Sequence, residues 1–155
     1  MSNAVGTTST VTGTLVMAPN GAISSDSRIA VDLRTLKSDQ EPRDSLVRRT
    51  LDACEQPMLE FVPTRTEGLP IPLPSSPQFQ AVAFKLIGNM TIRGVTKEVP
   101  FEIVAALLGG TVAGRASTTI LFSDFKIPRP AVSVLLGVDD KIQLEIEFRA
   151  NRSAL

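Results

Sequence analysis

The sequence predicts an all-β domain built as an antiparallel barrel. Between Gln80 and Ile103, apolar and polar residues alternate almost without error, and the alternation changes parity at Gly94. This pattern is typical of two long strands joined by a turn or bulge, each strand having one apolar and one polar face. Such strands belong to antiparallel sheets, because the strands of helix-covered parallel sheets are apolar on both faces.

Seven segments carry the strand pattern, and closing them into a barrel removes the edges that long strands otherwise expose. They lie at residues 11–17, 28–34, 59–62, 82–92, 95–103, 112–122 and 142–148. Pro19-Asn20-Gly21 provides a hairpin turn between the first two segments, and Gly109-Gly110 provides a turn before the sixth. A flat sandwich is the alternative. A barrel of about eight strands is either filled by side chains or holds one small elongated ligand.

One segment, residues 42–54, changes from the strand period to a helical one. Its apolar residues recur at helical spacing and are Leu46, Val47, Leu51 and Cys54. Pro42 suits the first helical position, and the carboxylate of Asp44 suits the positive end of the helix dipole. The pattern predicts a helix of about three turns, with Cys54 as a small buried apolar residue on it.

The remaining segments complete a single domain, residues 5–150. We interpret residues 1–4 as a cloning remnant and residues 151–155 as a tail. Residues 69–77 predict a loop, because their prolines remove the backbone donors that a central strand requires. An apolar stretch behind two prolines predicts a short second helix at residues 130–136.

The composition excludes several classes of protein. The 155 residues carry 16 basic and 16 acidic side chains, and without a run of like charges they indicate no nucleic-acid partner. No apolar run approaches the roughly 20 residues of a membrane-spanning helix, and the first residues lack the pattern of a signal peptide. A chain of this length buries roughly 68–70% of its unfolded surface, which suffices for one core without a disulfide or a metal.

The residues offer little for catalysis. Histidine is absent and there is one cysteine, which removes the commonest general base, the commonest metal ligand and any internal disulfide. Acid–base chemistry would rest on carboxylates, of which Asp124, Asp139 and Asp140 are the candidates. Aspartates at such positions are more often turn and capping groups than catalytic ones. We therefore predict a protein that is not an enzyme and has no metal site and no cofactor.

Three ordered segments carry a family resemblance. Residues 88–97 read Gly-Asn-Met-Thr-Ile-Arg-Gly-Val-Thr-Lys. The other two segments comprise Ser38-Asp39, Arg43-Asp44, Gln56-Pro57 and Phe61 before it, and Gly114-Arg115-Ala116, Asp124-Phe125 and Asp139-Asp140 after it. Over most of residues 10–149, the chain resembles the YceI-like family of lipocalin-like, lipid-binding barrels of bacteria. The family signature reads Gly-Asp-Leu-Thr-Ile-Arg-Gly-Val-Thr-Lys, from which this chain departs at Asn89 and Met90.

This resemblance implies a lipocalin-like antiparallel barrel whose tunnel-like interior binds a long apolar chain, such as a polyisoprenoid or its amide or pyrophosphate derivative. It also implies an extracytoplasmic location and no catalysis. The chain differs from the family in lacking a first strand before Val11, in the proline-rich loop and in an apolar insertion near Val132. A missing strand leaves a barrel edge exposed, so we predict a homodimer in which a second copy pairs with that edge.

We expect the ligand to contact apolar residues that line the barrel interior. These are Val31, Phe61, Phe84, Leu86, Met90, Ile92, Phe101, Ile103, Ile120, Phe122, Leu144, Ile146 and Phe148. The helix and the apolar segment 131–136 would border the opening. Arg43 and Arg93 are candidates for contact with a polar head group, which the planar donor fork of arginine suits. The alternative for both arginines is a structural ion pair.

Two functions remain open from the sequence. The first is non-enzymatic carriage or sequestration of a long apolar ligand, whose burial contributes about 0.8 kcal/mol per methylene and needs no sharp motif. The second is a protein-interaction module with a solid core, which docks on a partner through residues 131–136. A carboxylate-based hydrolase would require a polar cleft around Asp124 and Asp139.

Overall fold

In the computed structural model, the described residues are 5–71, 80–108, 110–128 and 141–151. They form one antiparallel sheet of seven strands, in which each strand pairs with its neighbours in sequence. The strands are β1 (Val11–Thr14), β2 (Arg28–Asp32), β3 (Met58–Glu67), β4 (Gln80–Ile92), β5 (Val95–Leu108), β6 (Thr111–Leu121) and β7 (Lys141–Asn151). The described helices are α1 (Glu41–Thr50) and two 3₁₀ turns, Leu33–Thr35 and Ser123–Phe125.

The sheet curls into a half-barrel, which confirms the antiparallel, lipocalin-like fold with one α-helix. Within the described residues β1 and β7 do not pair, so the sheet is open along this seam. The pairing of this edge with a second copy of the chain stays a prediction. The short helix predicted at 130–136 and residues 72–77 of the predicted loop lie outside the described residues.

The parity change at Gly94 is a two-residue hairpin turn between β4 and β5. Ile92 pairs with Val95, and both turn residues have positive φ, 53° at Arg93 and 74° at Gly94. Positive φ at both positions is typical of a type I′ turn, whose twist matches that of the flanking strands. The reversal predicted at Pro19-Asn20-Gly21 also forms, and its glycine has a φ of 87°.

Strands β3 and β4 approach closely where β3 changes register. A bulge between Pro63 and Arg65 shifts the ladder, and Gly88 of β4 lies opposite Pro63. The ring of Phe61 covers Gly88, since a Cβ added there would lie 2.8 Å from Cζ of Phe61. This ring also meets Phe101 of β5 edge to face, with centroids 5.0 Å apart and planes at 74°. The missing side chain at Gly88 therefore allows an aromatic pair to span three strands.

The helix forms where expected but ends early. It spans Glu41–Thr50 instead of 42–54, and Asp52, with a φ of 55°, turns the chain out of the helix. The prediction that Cys54 is buried on the helix is wrong, because this thiol lies exposed in the turn that follows. Ala53 is buried in its place, with 1% of its surface exposed.

Helix α1 also presents a different face to the protein from the one its apolar residues suggest. Leu46 and Val47 are 42% and 38% exposed, whereas Asp44 is only 6% exposed. One Asp44 oxygen accepts hydrogen bonds from the backbone N–H of Ser38 at 2.8 Å and from its hydroxyl at 2.5 Å. The Ser38 hydroxyl is the main cause that lowers the pKa of Asp44 below its ordinary value of 3.8, against an opposing contribution from burial. The hydrogen bonds between the Asp44 carboxylate and Ser38 therefore anchor this helix to the segment that precedes it.

We expect Asp44→Asn to destabilise the protein at neutral pH but not in strong acid. Because the folded-state pKa of Asp44 is lowered, its carboxylate stabilises the fold fully above the unfolded-state pKa of about 3.9. This stabilisation is lost as the pH falls from there through the lower folded-state value. Urea unfolding over a series of pH values measures the difference between the variant and the wild type. A difference that stays constant into strong acid would contradict the assignment, and the exposed Asp39→Asn is the matched control.

Candidate ligand-binding site

The lining residues predicted from the sequence share one face of the sheet, which we call the inner face. Residues directly opposite each other in neighbouring strands share a face. The register places Phe84 opposite Ile103, Ile103 opposite Ala116, and Ala116 opposite Ile146. The same ladders bring all the predicted strand residues to this face, and Phe122 directly follows β6.

Burial divides the predicted lining into two groups. Seven side chains are buried: Phe61, Leu86, Met90, Ile92, Phe101, Ile103 and Ile120. Six are half-buried: Val31, Phe84, Phe122, Leu144, Ile146 and Phe148. The buried group is concentrated towards the β4–β5 turn, whereas Ile142, Leu144, Ile146 and Phe148 of β7 are all half-buried. The inner face is therefore a packed core at one end, the closed end, and an accessible apolar wall elsewhere.

In the accessible part of the inner face, small residues form a floor between larger ones. This floor consists of three small residues on β5 and β6, Ala105, Gly114 and Ala116. Its sides are the larger half-buried residues Phe84 of β4 and Ile146 and Phe148 of β7. We call this set of floor and side residues the trough. The large half-buried residues on either side of this floor give the inner face an apolar surface that is only partly covered.

The closed end is sealed by the segment that follows Phe122, in which the sequence analysis marked no lining residue. Phe125 and Ile127 are 0% and 3% exposed and belong to the core cluster. The Lys97 ammonium group lies 2.5 Å from the Asp124 carboxylate, and this hydrogen bond is the main cause that lowers the pKa of Asp124. The carboxylate also accepts from the Leu121 N–H at 3.3 Å. Asp124 is thus engaged as a structural group.

The two candidate head-group arginines both make contacts within the protein. Arg93 donates from Nη1 to the Lys126 carbonyl at 2.6 Å, which ties the β4–β5 turn to the sealing segment. Its Nε is buried without a partner among the described residues. Arg43 donates to the Asp39 carboxylate at 2.6 Å, four residues before it in sequence. Arg43 thus makes an ion pair, whereas Arg93 makes a hydrogen bond to a backbone carbonyl, and head-group contact stays a prediction for both.

A break in the wall between β5 and β6 was not predicted from the sequence. Their ladder ends at the pair Glu102–Ser117. Two residues further along β5, Pro100 lacks the backbone N–H that continued pairing would need. A surface cleft of about 270 Å³ opens there, lined by Pro100, Glu102, Ser117, Thr118, Thr119 and Gln143. The available signal was Pro100 itself, because proline inside a strand marks an edge or an interruption.

A second surface cavity lies beside β3. It has a volume of about 490 Å³ and lies between the turn at residues 20–23 and the end of β3, where Thr66 and Ile71 contribute to its lining.

In the part of the chain that the structure describes, no group of three or more His, Cys, Asp or Glu side chains is placed to hold a metal ion. Nor does any described helix have the length and apolar character needed to cross a bilayer. The inner face itself offers contact with apolar groups, because its side chains are mainly Phe, Leu, Ile, Val and Met.

Several solved structures share this fold. The Campylobacter jejuni YceI protein gives a TM-score of 0.74 at 19% identity, with 99% of this chain and 88% of that chain covered. Burkholderia cenocepacia BcnA gives 0.72 at 17% identity, with 94% and 87% covered. A polyisoprenoid-binding domain from Saccharophagus degradans gives 0.63 at 10% identity, with 91% and 82% covered. At these identities the likeness shows the fold.

The family follows from the sequence. No curated protein matches the chain significantly. The YceI-like domain profile, however, matches residues 1–150, which is nearly the whole chain. This match confirms the resemblance carried by the segment 88–97 and its flanking motifs. The chain therefore belongs to the YceI-like family.

Proposed function

We propose that the chain binds a long-chain apolar ligand, a polyisoprenoid or a related lipid, along its inner face and carries or sequesters it without catalysis. The observation that supports this proposal is the trough. Its floor of Ala105, Gly114 and Ala116 lies between larger apolar side chains that are only half-buried. Hydrocarbon that covers an apolar surface of this kind, on the inside of a curled sheet, removes it from water and so lowers the free energy.

The energetics favour a long chain over a compact ligand. Each buried methylene contributes about 0.8 kcal/mol, so about ten of them contribute about 8 kcal/mol before the cost of immobilising the ligand. No charged side chain of the described residues lies among the trough residues, so a hydrocarbon tail meets no unpaired charge there. Affinity therefore increases with the length of the ligand's hydrocarbon chain, and prenyl and acyl chains are long enough to provide it.

Family membership supports the same assignment. The Saccharophagus degradans structure of this fold is a polyisoprenoid-binding domain, and the family resemblance implies isoprenoid ligands. The extracytoplasmic location implied by the resemblance belongs to the proposal as well. There, a carrier would shield a prenyl chain from water between membranes or enzymes.

Organic extraction of protein purified without detergent tests the proposal. We expect mass spectrometry of the extract to show an apolar compound at a stoichiometry near one per chain. Protein stripped of this compound is expected to take up an added isoprenoid and to exclude a short polar solute of equal mass. A clean extract together with no uptake of added isoprenoid would overturn the proposal.

The second candidate is a protein-interaction module with a solid core. Phe61, Met90 and Phe101 are 0–3% exposed and fill the closed end of the inner face. If packing of this kind continued along the whole inner face, no room for a ligand would remain. A clean extract with no uptake favours this candidate.

A further inference from the structure

Three connections between strands lie at the end of the half-barrel opposite the closed end, which we call the open end. They are the hairpin from β1 to β2, the segment after β3 and the turn from β5 to β6, as the strand registers show. The first two touch, since a Cβ added at Gly21 would lie 2.9 Å from Cδ1 of Ile71. Ala105 lies three residues before the end of β5, and Gly114 lies three residues after the start of β6. The trough therefore extends to within about 10 Å of the open end.

The described part of these connections carries no charge. We call residues 15–25 and 68–71 the rim. Asp, Glu, Lys and Arg make up 21% of the chain, yet none occurs in the rim. Nor does any occur in the strand ends beside it, which are residues 81–84, 103–106 and 110–114. The closed end differs, because helix α1 alone has five charged residues.

The first charges below the rim on β3, β4 and β5 form a row. Glu67 pairs with Lys85 across the first two strands, and Lys85 pairs with Glu102 across the next two. All three side chains are about half exposed or more. The sheet thus has a sharp boundary between a charged wall and an uncharged end.

The rim exposes apolar side chains. Leu15 is 43% exposed and Ile71 is 49% exposed, and Pro19 and Pro70 are exposed beside them. Grouped apolar side chains on a surface mark contact with a protein or a membrane. An apolar surface without charges suits the boundary between the head groups and the acyl chains of a bilayer, where a charged side chain would be unfavourable.

The ligand class favours a bilayer over a protein as the partner. A prenyl or acyl chain dissolves in membranes, and each methylene that must pass through water slows its transfer about fourfold. If the open end faces the bilayer, the chain moves between membrane and trough without this exposure. The route requires the rim and the trough to lie at the same end, as they do.

One cation beside the rim suits the lipid head groups. Arg149 lies on the outer face of β7, opposite Ala113 of the uncharged end of β6. It is exposed and makes no ion pair within the described residues. The planar guanidinium group matches the geometry of a phosphate. The arrangement therefore offers apolar insertion together with one phosphate contact.

We propose that the rim docks on the surface of a lipid bilayer and that the trough exchanges its ligand with the membrane during this contact. The proposal rests on the proposed function and adds the partner surface and the route of the ligand. Leu15 and Ile71 enter the boundary between head groups and acyl chains, whereas the row of Glu67, Lys85 and Glu102 stays in water. The contact is brief, because few apolar side chains are inserted.

Transfer of a C20 prenyl alcohol from the protein to vesicles tests the proposal. The alcohol carries a nitrobenzoxadiazole label, and the phosphatidylcholine vesicles contain a rhodamine lipid that quenches it on arrival. We expect the rate to rise in proportion to vesicle concentration, because transfer occurs during contact. Leu15→Glu and Ile71→Glu each place a charge in the rim and are expected to slow transfer at least about tenfold.

The matched control is Leu46→Glu. Leu46 is 42% exposed, close to the value for Leu15, but lies on α1 at the closed end. We expect this variant to transfer the alcohol at the wild-type rate. Arg149→Gln is expected to slow transfer roughly fivefold when the vesicles contain phosphatidylglycerol, which is the effect of one cation near an anionic surface.

Uptake of the same alcohol from cyclodextrin separates docking from ligand binding, and it is expected to match the wild type in every variant. A transfer rate independent of vesicle concentration, wild-type transfer by both rim variants, or equal slowing by Leu46→Glu would overturn the inference and leave the proposed function intact. A dimer that dissociates in Leu15→Glu without slower transfer would assign the rim to a second copy instead. A wild type that takes up no alcohol from cyclodextrin would overturn the proposed function, and the inference with it.

Discussion

Gly88→Ala is expected to lower the free energy of unfolding by about 3 kcal/mol, at the upper end of the usual cost of overpacking. A Cβ at this position would lie 2.4 Å from the Val62 carbonyl oxygen and 2.6 Å from Pro63 Cα. Both are backbone atoms of β3, so relief requires the two strands to separate. Separation would also displace the Phe61 ring from Phe101, and the variant would lose part of the packed closed end.

Gly110→Ala is the matched control for this substitution. A Cβ at Gly110 would have no atom within 4 Å, so we expect a change within about 0.5 kcal/mol. Urea unfolding followed by far-UV circular dichroism measures both variants. Similar midpoints for the two variants would show that β3 and β4 can move apart freely, contrary to this account. Strand propensity alone predicts the opposite sign for Gly88→Ala, because glycine inside a strand is ordinarily unfavourable.

Ile146→Glu is expected to reduce lipid affinity by at least about 100-fold while the protein stays folded. Ile146 is half-buried and lies opposite the small Ala116, so the new carboxylate can remain hydrated in the open trough. A bound chain would remove this water from an ionised group that faces no cation among the described residues of the trough, which costs several kcal/mol. The effect therefore appears in binding and not in folding.

Val104→Glu provides the comparison for this charge. Val104 is also a β-branched strand residue, but it faces outward and is 56% exposed. It lies opposite Arg115, so a carboxylate there is well tolerated. Retained isoprenoid per chain, measured after extraction, should match the wild type in Val104→Glu and fall to background in Ile146→Glu. Full retention in Ile146→Glu would place the ligand away from the trough.

The strands were predictable because their signal is local. The alternation between Gln80 and Ile103 gives both long strands, and the parity change locates the turn that the structure shows at Arg93-Gly94. Alternation does not report bulges on a partner strand. The register shift between Pro63 and Arg65 therefore emerged only with the paired strands.

The helix illustrates where local pattern is insufficient. Apolar residues at helical spacing predicted the helix, but of Leu46, Val47, Leu51 and Cys54 only Leu51 packs against the core, and the other three are exposed. Helix α1 is instead held through the capped carboxylate of Asp44 and through Arg48, which donates to the Leu36 carbonyl at 3.0 Å. Hydrogen bonds between a helix and residues outside it leave no periodic pattern in the sequence.

By itself, the sequence determined that the chain forms antiparallel strands, which side chains of each strand share a face, and to which family it belongs. Alternation and motifs depend on residues that are close together in the chain, so they are visible in the sequence without knowledge of the tertiary structure. Only the tertiary structure decided which inner-face residues are packed, such as Phe61 over Gly88, and which remain accessible, such as Ile146. It also decided where the ladder between β5 and β6 ends and a surface cleft forms beside Pro100. These features depend on distances between strands, which are set by the curl of the sheet and by bulges.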